Sequence, residues 1–315
     1  MKRILILGGC GYIGTILAND LLKKNKVIVY DAQWFGNFLK PNKNLKIIHG
    51  DIRSIDSSIF KNIDTVVHLA NIANDPSVDL SPELSWEVNV LSLLDILNKC
   101  KKNKVKHFIF SSSGSVYGIK KEKRVTEKLD LLPISTYNKT KMIAERILLS
   151  FSDSLIYHII RPATVCGYSP RMRFDVSVNN LTIQALKNKK ITVFGGEQIR
   201  PNVNIIDISR IFKHFIVNSK KIESGIYNAG FENLSIIQIA KMIKKFTGAE
   251  IKIIKNDNDP RSYRLDSSKL LKTGFKPLNG VNSAIKDLID MYKNNKLKVS
   301  DKNYTVKWMK KNKIK

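Results

Sequence analysis

The stretch that decides the fold is Gly8-Gly9-Cys10-Gly11-Tyr12-Ile13-Gly14. It stands between a short apolar run, Arg3–Leu7, and a segment with apolar residues at helical spacing, Tyr12–Lys24. An apolar run that ends in glycine is typical of a buried parallel strand. Glycines at positions 8, 11 and 14 allow a tight turn, close approach of the backbone to a pyrophosphate, and close packing of helix on strand. The helix that follows would direct N–H groups and a partial positive charge at the phosphates.

An acidic residue follows at the offset that a dinucleotide site requires. Asp31 ends a second strand-like run, Lys26–Tyr30, about 20 residues after the glycines. A carboxylate at this place can accept hydrogen bonds from both ribose hydroxyls of NAD and would repel the 2′-phosphate of NADP. A structural glycine-rich turn is the alternative, but the glycines and the acid together favour an NAD site.

Strand-like and helical segments alternate through the first half of the chain. Further strands are predicted at Leu45–Ile48, Asp64–Leu69, Lys106–Phe110 and Leu155–Ile160, and helices at Pro82–Lys101 and Ile134–Ser150. Repeated strand–helix–strand units with buried strands predict a parallel sheet covered on both faces. The fold class is therefore α/β, a Rossmann-type doubly wound parallel sheet with a smaller carboxyl-terminal lobe.

The alternation of strands and helices loosens after Arg161-Pro162. Helices are predicted at Phe174–Lys189, Ile236–Phe246 and Val281–Tyr292, and a short strand at Ile191–Phe194. We expect an NAD-binding domain over residues 1–165, with some later returns to the sheet, and a mainly substrate-binding lobe over residues 166–295. Residues 296–315 form a basic tail, which we expect to be a frayed, solvated end.

A tyrosine and a lysine have the spacing of a catalytic pair. Tyr137 and Lys141 stand four residues apart, on one face of the predicted helix. The lysine's charge can lower the pKa of the phenol and prepare a general base. The same spacing recurs at Tyr117 with Lys121 and at Tyr292 with Lys296. The first tyrosine precedes a glycine, and the second lies near the basic terminal region, far from the glycine stretch, so the context favours Tyr137. Ser113, at the carboxyl end of the fifth predicted strand, could bind the same substrate oxygen.

Composition excludes several classes of protein. The chain has 315 residues, 54 Lys and Arg against 27 Asp and Glu, and a net charge of +27. This charge favours anionic partners, but the lysines are dispersed and no finger or RNP motif is present, so no nucleic-acid partner is expected. No apolar run is long enough for a membrane span. Glycines interrupt the apolar run near Met1, so we expect no signal peptide and a cytoplasmic protein. No histidine or cysteine spacing indicates a metal site.

Taken together, these residues resemble the extended short-chain dehydrogenase/reductase family, in its nucleotide-sugar epimerase/dehydratase branch. The resemblance covers nearly the whole chain. Besides the glycine stretch and Asp31, it rests on the segments GDI (50–52), HLA (68–70), FSSSGSVYG (110–118), YNKTK (137–141), RP (161–162), VFGGEQIRP (193–201) and DPRSYRLDSSKL (259–270).

The resemblance implies roles for particular residues. Ser113, Tyr137 and Lys141 would be the catalytic residues. The cofactor NAD would contact Gly8, Gly11, Tyr12, Ile13, Gly14, Asp31, Asp51, Ile52, Leu69, Ala70, Asn89, Tyr137 and Lys141. The nucleotide-sugar substrate would contact Ser113, Thr164, Asn179 or Asn180, Arg200 and Arg261, since guanidinium groups pair well with phosphates. A homodimer is also implied, with helices Pro82–Lys101 and Ile134–Ser150 pairing across a two-fold axis.

Departures from the family pattern bear on the reaction. Dehydratases of this branch carry Thr-Asp-Glu where this chain has Ser113-Gly114-Ser115, and many epimerases carry asparagine where it has Thr164. The segment Ser169-Pro170-Arg171-Met172-Arg173 resembles a subgroup of sugar 4-dehydrogenases and epimerases; its arginines either approach phosphates or are solvated. We expect NAD-dependent oxidation at C4 of a nucleotide-diphosphate sugar, as a 4-epimerase. The alternatives are a 4-dehydrogenase or 4-keto reductase and, further off, a non-catalytic NAD-binding or RNA-binding relative.

Overall fold

The strands form one large sheet and two small ones in the computed structural model, which describes residues 1–255 and 262–314. The strands are β1 (Arg3–Leu7), β2 (Lys26–Asp31), β3 (Leu45–His49), β4 (Thr65–His68), β5 (His107–Ser111), β6 (Ile156–Pro162), β7 (Thr164–Cys166), β8 (Lys190–Phe194), β9 (Ile199–Asn204), β10 (Gly225–Ala229), β11 (Glu232–Ser235) and β12 (Glu250–Ile254).

The helices of the described residues cover both faces of the large sheet and build the smaller lobe. They are α1 (Tyr12–Leu21), α2 (Asp75–Val78), α3 (Pro82–Trp86), α4 (Ser92–Lys102), α5 (Thr136–Leu149), α6 (Ser177–Asn188), α7 (Ile205–Val217), α8 (Ile236–Thr247), α9 (Ser268–Leu271), α10 (Val281–Lys293) and α11 (Thr305–Lys311).

The large sheet confirms the predicted doubly wound architecture. Its order is β10-β6-β5-β4-β1-β2-β3, and every pairing in it is parallel. The central strand is apolar because helices cover both of its faces, and Ile4–Leu7 is wholly buried. The strand order reverses between β1 and β4, so the crevice outside their carboxyl ends is the place where such sheets bind ligands.

The smaller lobe uses mixed pairing. A three-stranded sheet, β11-β9-β7, and a two-stranded sheet, β12-β8, lie with α6, α8 and α10 around a separate apolar cluster. The predicted capping box begins α8: Ser235 Oγ accepts from the Gln238 N–H, and the Gln238 side chain accepts from the Ser235 N–H at 2.8 Å.

The predicted elements are all present, with ends displaced by at most three residues. Helix α1 ends at Leu21 rather than Lys24 because the Asn25 side chain caps the Leu21 carbonyl at 3.0 Å. Helix α6 begins at Ser177 rather than Phe174. The Phe174 N–H is instead bonded to the Asn303 carbonyl at 2.8 Å, which holds the preceding residues outside the helix.

The helix predicted over Pro82–Lys101 contains an irregular turn. Residues 87–91 have π-helical hydrogen bonding between α3 and α4. Asn89 lies in this turn, and its side-chain amide bonds both the N–H and the carbonyl of Ile72. Such a turn often occurs near a functional site, and here it ties the helix to the loop after β4.

Some elements were not predicted. The seventh strand of the large sheet, β10, comes from beyond residue 165, and helix α7 follows β9 directly. The prediction of a frayed, solvated tail was wrong. Residues 301–303 form a short 3₁₀ turn, α11 follows, and Met309 is 1% exposed in the core cluster beneath β1 and β4. Met309 and Ile314 pack in this cluster, while Leu297, Val299 and Tyr304 pack in the neighbouring one, so apolar residues dock this lysine-rich segment.

Candidate active site

A cleft of about 650 Å³ opens where the carboxyl ends of β1, β2, β4 and β5 meet. Its wall includes the glycine loop, Asp31, the ends of β4 and β5, the start of α5, and the segment 171–177 from the smaller lobe. The cleft therefore lies both where the strand order of the sheet reverses and where the smaller lobe meets the sheet. Such a cleft is the expected place for a cofactor and a substrate.

The glycine loop is packed so closely that side chains are excluded. A Cβ on Gly8 would lie 2.4 Å from the Ala70 nitrogen, and Gly8 has a φ of +83°. A Cβ on Gly14 would lie 2.5 Å from the Gly8 oxygen. Gly11 precedes α1, and no side chain caps its first turn. The backbone of this loop therefore faces the cleft, as pyrophosphate binding requires.

Asp31 lies at the carboxyl end of β2, beside the same loop. Its carboxylate accepts hydrogen bonds from the Cys10 N–H at 2.9 Å and the Gln33 N–H at 2.6 Å. Burial raises the pKa of Asp31, while those two bonds and the charge of Arg171 act in the other direction. The carboxylate is thus held in a fixed position at the wall of the cleft.

Ser113, Tyr137 and Lys141 all line the cleft, as their spacing predicted that they would. Ser135 caps α5 by accepting from the Asn138 N–H, which sets the first turn that carries the tyrosine. The Ser113 hydroxyl is bonded to Ser115 Oγ at 2.8 Å.

The electrostatics of this group differ from the expectation in one respect. Burial raises the pKa of Tyr137 to about 12, and Arg173 opposes this shift by its charge, with the Ser113 hydroxyl opposing it by hydrogen bonding. Lys141, the cation expected from sequence, donates instead to the Ser111 carbonyl at 2.6 Å, and burial lowers the pKa of Lys141 to about 7. The guanidinium that favours the phenolate thus comes from the smaller lobe.

Most of the other residues implied by the resemblance also reach the cleft. Those that line it are Gly8, Gly11, Tyr12, Ile13, Gly14, Asp31, Asp51, Ile52, Leu69, Ala70, Thr164 and Arg200. Arg261 lies outside the described residues.

Three asparagines do not reach it. Asn89 is fully buried, and its amide bonds the Ile72 backbone and Thr140. Asn179 is also buried, donating to Tyr12 Oη at 3.0 Å and accepting from the Gly167 N–H at 2.9 Å. Asn180 accepts from Gln184 on the same helix. Neither Asn89 nor Asn179 has an amide directed at the cleft, because both amides are used within the fold.

The wall also contains residues whose role the sequence analysis left undecided and residues that it did not predict. Arg171 is buried at the cleft and Arg173 is half-buried there, so neither is a solvated loop charge. Arg173 pairs with Asp175 at 2.9 Å, and the Arg171 guanidinium lies 4.0 Å from the Phe35 ring centroid. Thr305, Val306 and Met309 also line the cleft. The only sequence signal for the latter group was the Trp308-Met309 pair among the lysines.

Several buried polar groups at the cleft have no hydrogen-bond partner within the described chain. They are the amide of Asn71, Nε of Arg171 and Oγ of Ser177. An unsatisfied buried polar group costs about 1–3 kcal/mol, so such groups usually mark a place that a polar ligand completes. Together with the side-chain-free glycine loop and Asp31, they fit a dinucleotide.

Other kinds of site are not found among the described residues. Nowhere in residues 1–255 and 262–314 do three or more potential ligand side chains group around a metal position. No helix in these ranges has the length and apolar character needed to cross a membrane. The three cysteines are buried and free, and burial raises the pKa of Cys10 to about 12.

Comparison with known proteins places the chain in a family. A model of the NAD-dependent epimerase/dehydratase family matches residues 4–230. The chain is 30% identical to a UDP-glucose 4-epimerase of Lactobacillus helveticus, over 87% of this chain and 92% of that protein.

Two solved structures are similar along their whole length. One is a UDP-glucuronic acid 4-epimerase from Bacillus cereus in complex with UDP-glucuronic acid and NAD, with 29% identity, a TM-score of 0.83, and coverage of 93% of this chain and 100% of that one. The other is a UDP-N-acetylglucosamine 4-epimerase from Methanobrevibacter ruminantium, with 27% identity, a TM-score of 0.84, and coverage of 92% and 99%. With its glycine loop, Asp31 and its Ser–Tyr–Lys group in one cleft, the chain belongs to the NAD-dependent epimerase/dehydratase family.

Proposed function

We propose that this protein is a nucleotide-diphosphate-sugar 4-epimerase that uses NAD. The observation that carries the proposal is that one cleft holds both the dinucleotide features, Gly8–Gly14 and Asp31, and the reactive group, Ser113, Tyr137 and Lys141. The relatives and solved neighbours reported above are 4-epimerases of UDP-sugars. A UDP-sugar is therefore the first substrate to test.

Tyr137, Ser113 and Lys141 would have different roles in the reaction. Tyr137 Oη takes the proton of the C4 hydroxyl, and the Ser113 hydroxyl orients that oxygen. NAD, when bound, supplies the acceptor for the hydride of C4. Lys141 would hold the nicotinamide ribose, since its Nζ already lies at the carboxyl end of β5. After the 4-keto sugar turns over, the hydride would return to C4 on its other face and Tyr137 would give its proton back to the C4 oxygen, so no net oxidation remains.

Cationic residues of the smaller lobe would bind the substrate. Arg200 lines the cleft and would contact the diphosphate, and the resemblance assigns the same role to Arg261. Thr164, also in the wall, stands where many relatives use asparagine to contact the sugar. We assign the nucleotide-sugar to the part of the cleft that is lined mainly by residues of the smaller lobe. This agrees with the expected boundary between the NAD-binding domain and that lobe at residue 165.

A dehydratase is disfavoured by the residues at positions 114 and 115. No carboxylate stands at this position or at Ser115, where dehydratases carry the acid and base. A Cβ at Gly114 would lie 3.2 Å from the Pro162 oxygen and 3.3 Å from the Tyr263 hydroxyl. The site therefore lacks the carboxyl groups that remove water from C5–C6 of a sugar, and a side chain at residue 114 would require its neighbours to shift by a few tenths of an ångström.

A 4-dehydrogenase shares the first half-reaction, and a product assay separates the two. The test is a panel of UDP-, dTDP-, GDP- and CDP-sugars, followed by absorbance at 340 nm and by chromatographic separation of C4 epimers. An epimerase yields the second epimer without stoichiometric NADH. Stoichiometric NADH with a 4-keto product would overturn the epimerase in favour of the dehydrogenase.

We infer a homodimer formed through the helical segment 82–102 and α5. Leu91 and Leu94 are 62% and 45% exposed on this segment, and exposed large apolar side chains on one helix are typical of an interface. Light scattering after gel filtration should give twice the chain mass for the wild type and the single mass for Leu94→Glu. A monomeric wild type contradicts the inference.

We also infer that the protein works in the cytoplasm. Its three cysteines are free and buried, as in a reducing compartment, and its proposed cofactor and substrate belong to cytoplasmic metabolism. Cell fractionation with an antibody checks this, and recovery in a secreted or periplasmic fraction would contradict it.

A further inference from the structure

The short turn at residues 301–303 and helix α11 lie at the cofactor cleft. We call residues Asp301–Lys311 the carboxyl-terminal clasp; it consists of the 3₁₀ turn and α11. Three of its residues, Thr305, Val306 and Met309, belong to the wall of the same cleft as the glycine loop and Asp31. The clasp is thus part of the dinucleotide site itself, although it lies far from that site in sequence.

One end of the clasp is attached to the smaller lobe. The Asn303 carbonyl accepts from the Phe174 N–H at 2.8 Å, and the ring of Tyr304 lies 5.8 Å from that of Phe174. Phe174 stands between Arg173 and Asp175, which form an ion pair at the cleft. The clasp therefore holds the segment that presents these charges.

The other end is attached to the NAD-binding domain. Trp308 Nε1 donates to the Trp34 carbonyl at 2.5 Å, and Met309 is buried in the cluster against which Trp34 and Phe35 pack. Trp34 lies just beyond Asp31, where the adenosine ribose is expected. Helix α11 also packs on α2, after β4. The clasp consequently bridges both walls of the cleft.

The construction of the clasp allows it to open as a unit. It is joined to α10 by residues 294–300, which form neither helix nor strand. Hydrogen bonds of Asn303 with Phe174 and Met172 and of Trp308 with Trp34, the Phe174–Tyr304 ring contact, the packing of α11 on α2 and the buried side chains of Thr305 and Met309 hold it in place. Local opening of such a segment costs less than global unfolding, so it can open while the rest of the protein stays folded. Its charge is four lysines against one aspartate, which favours an anionic dinucleotide beneath it.

We propose that the clasp retains NAD between turnovers, so that the cofactor leaves only when Trp308 and Met309 release the Trp34 loop. This inference rests on the proposed function and deepens it. In an epimerase the hydride removed from C4 returns to C4 and the proton on Tyr137 returns to the same oxygen, so the same dinucleotide serves successive cycles. A dehydrogenase must exchange its dinucleotide in every cycle. A clasp that stays closed is therefore compatible with the epimerase cycle, and it would slow the dehydrogenase cycle by delaying cofactor exchange.

The test measures release of NAD in the absence of sugar. Wild-type protein and Trp308→Ala/Met309→Ala are loaded with NAD, desalted, and mixed with ethanol and an alcohol dehydrogenase that reduces only free NAD, so release appears at 340 nm. The matched control is Lys244→Ala/Lys245→Ala, two exposed lysines of α8 that lie outside the clasp. We expect release at least ~10-fold faster from the apolar double variant, and within about twofold of wild type from the control, since tenfold corresponds to only about 1.4 kcal/mol.

A second variant covers the case in which the double variant does not fold. Trp308→Phe keeps a six-membered aromatic ring and removes the pyrrole part of the indole with the N–H donated to Trp34. We expect it to release NAD faster than wild type, and its melting temperature checks that it folds. Equal release rates for wild type and the folded clasp variants would overturn the clasp. Because no sugar is present, absence of epimerisation in the sugar panel would refute the proposed function without affecting this measurement.

Discussion

Arg161 and Glu145 form an ion pair beneath the floor of the cleft, with Nη2 and Oε2 2.6 Å apart and both side chains almost wholly buried. Glu145 also accepts from the Ser112 hydroxyl, and Arg161 donates to Tyr117 Oη at 2.7 Å. Glu145 lies on α5, the helix that carries Tyr137. The pair therefore fixes the catalytic helix against β6 and the end of β5.

Loss of one partner of this pair should be strongly destabilising. Glu145→Ala leaves the Arg161 guanidinium buried without its counter-charge, so we expect the free energy of unfolding in urea to fall by about 3–5 kcal/mol. Glu250→Ala removes a partner from an exposed pair with Lys190 at 3.8 Å and should change it by no more than ~1 kcal/mol. Similar decreases in the free energy of unfolding for the two variants would contradict the prediction that the buried pair matters more than the exposed one.

Replacing Tyr137 by phenylalanine should stop catalysis without disturbing the fold. The variant removes only the oxygen that takes the proton, so kcat should fall at least ~10²-fold, while NAD binding stays within about twofold. Tyr292→Phe, which has the same spacing to a lysine but does not line the cleft, serves as control and should retain full activity. Retention of turnover by the Tyr137 variant would show that another base is used.

A methyl group at Gly14 should abolish cofactor binding. Its Cβ would lie 2.5 Å from the Gly8 oxygen and 2.6 Å from the Gly9 Cα, both backbone atoms that cannot move independently. We expect Gly14→Ala to lose measurable NAD binding by calorimetry and to be destabilised by about 1–3 kcal/mol. At Gly225 the added Cβ meets only the tip of Lys269 at 3.2 Å, so Gly225→Ala should bind NAD as wild type does.

Acid should destabilise the protein through its buried histidines. Burial lowers the pKa of His68 to about 3, that of His107 to about 2 and that of His158 to about 4. Below pH 6.5 the unfolded chain binds protons that the folded chain excludes, so stability present above that pH is lost as the pH falls towards 4. Each histidine contributes at most about 1.4 kcal/mol per pH unit.

Urea unfolding at pH 8, 6 and 5 measures this loss, and one histidine allows a matched variant. His68 stacks on Phe110 at 5.8 Å between ring centroids, and neither of its ring nitrogens has a hydrogen-bond partner in the described chain. His68→Phe should therefore preserve packing. It should reduce the number of protons taken up on unfolding, and so the slope of the free energy of unfolding against pH, by up to one proton. A variant with the same slope as wild type would rule out His68 as a source.

Local patterns determined much of the fold and of the reactive group. A run such as Arg3–Leu7 ending in glycine, a carboxylate at the end of the next strand, and Tyr137 with Lys141 four residues apart each have a meaning that depends on neighbouring residues alone. Since carboxyl ends of parallel strands meet at one edge of a sheet, these local features also predicted a common cleft.

What only the tertiary structure decided are the relations between segments far apart in the chain. Arg173 rather than Lys141 provides the charge that favours the Tyr137 phenolate. The Asn179 amide bonds Tyr12 and Gly167 instead of facing the cleft. The lysine-rich carboxyl-terminal segment contributes the buried Met309 to the wall of the cleft. None of these follows from periodicity, because an arginine or an amide has the same local pattern whether it faces solvent or a cleft. Long-range packing chooses between them, since burial brings each polar group to whichever partner the fold places beside it.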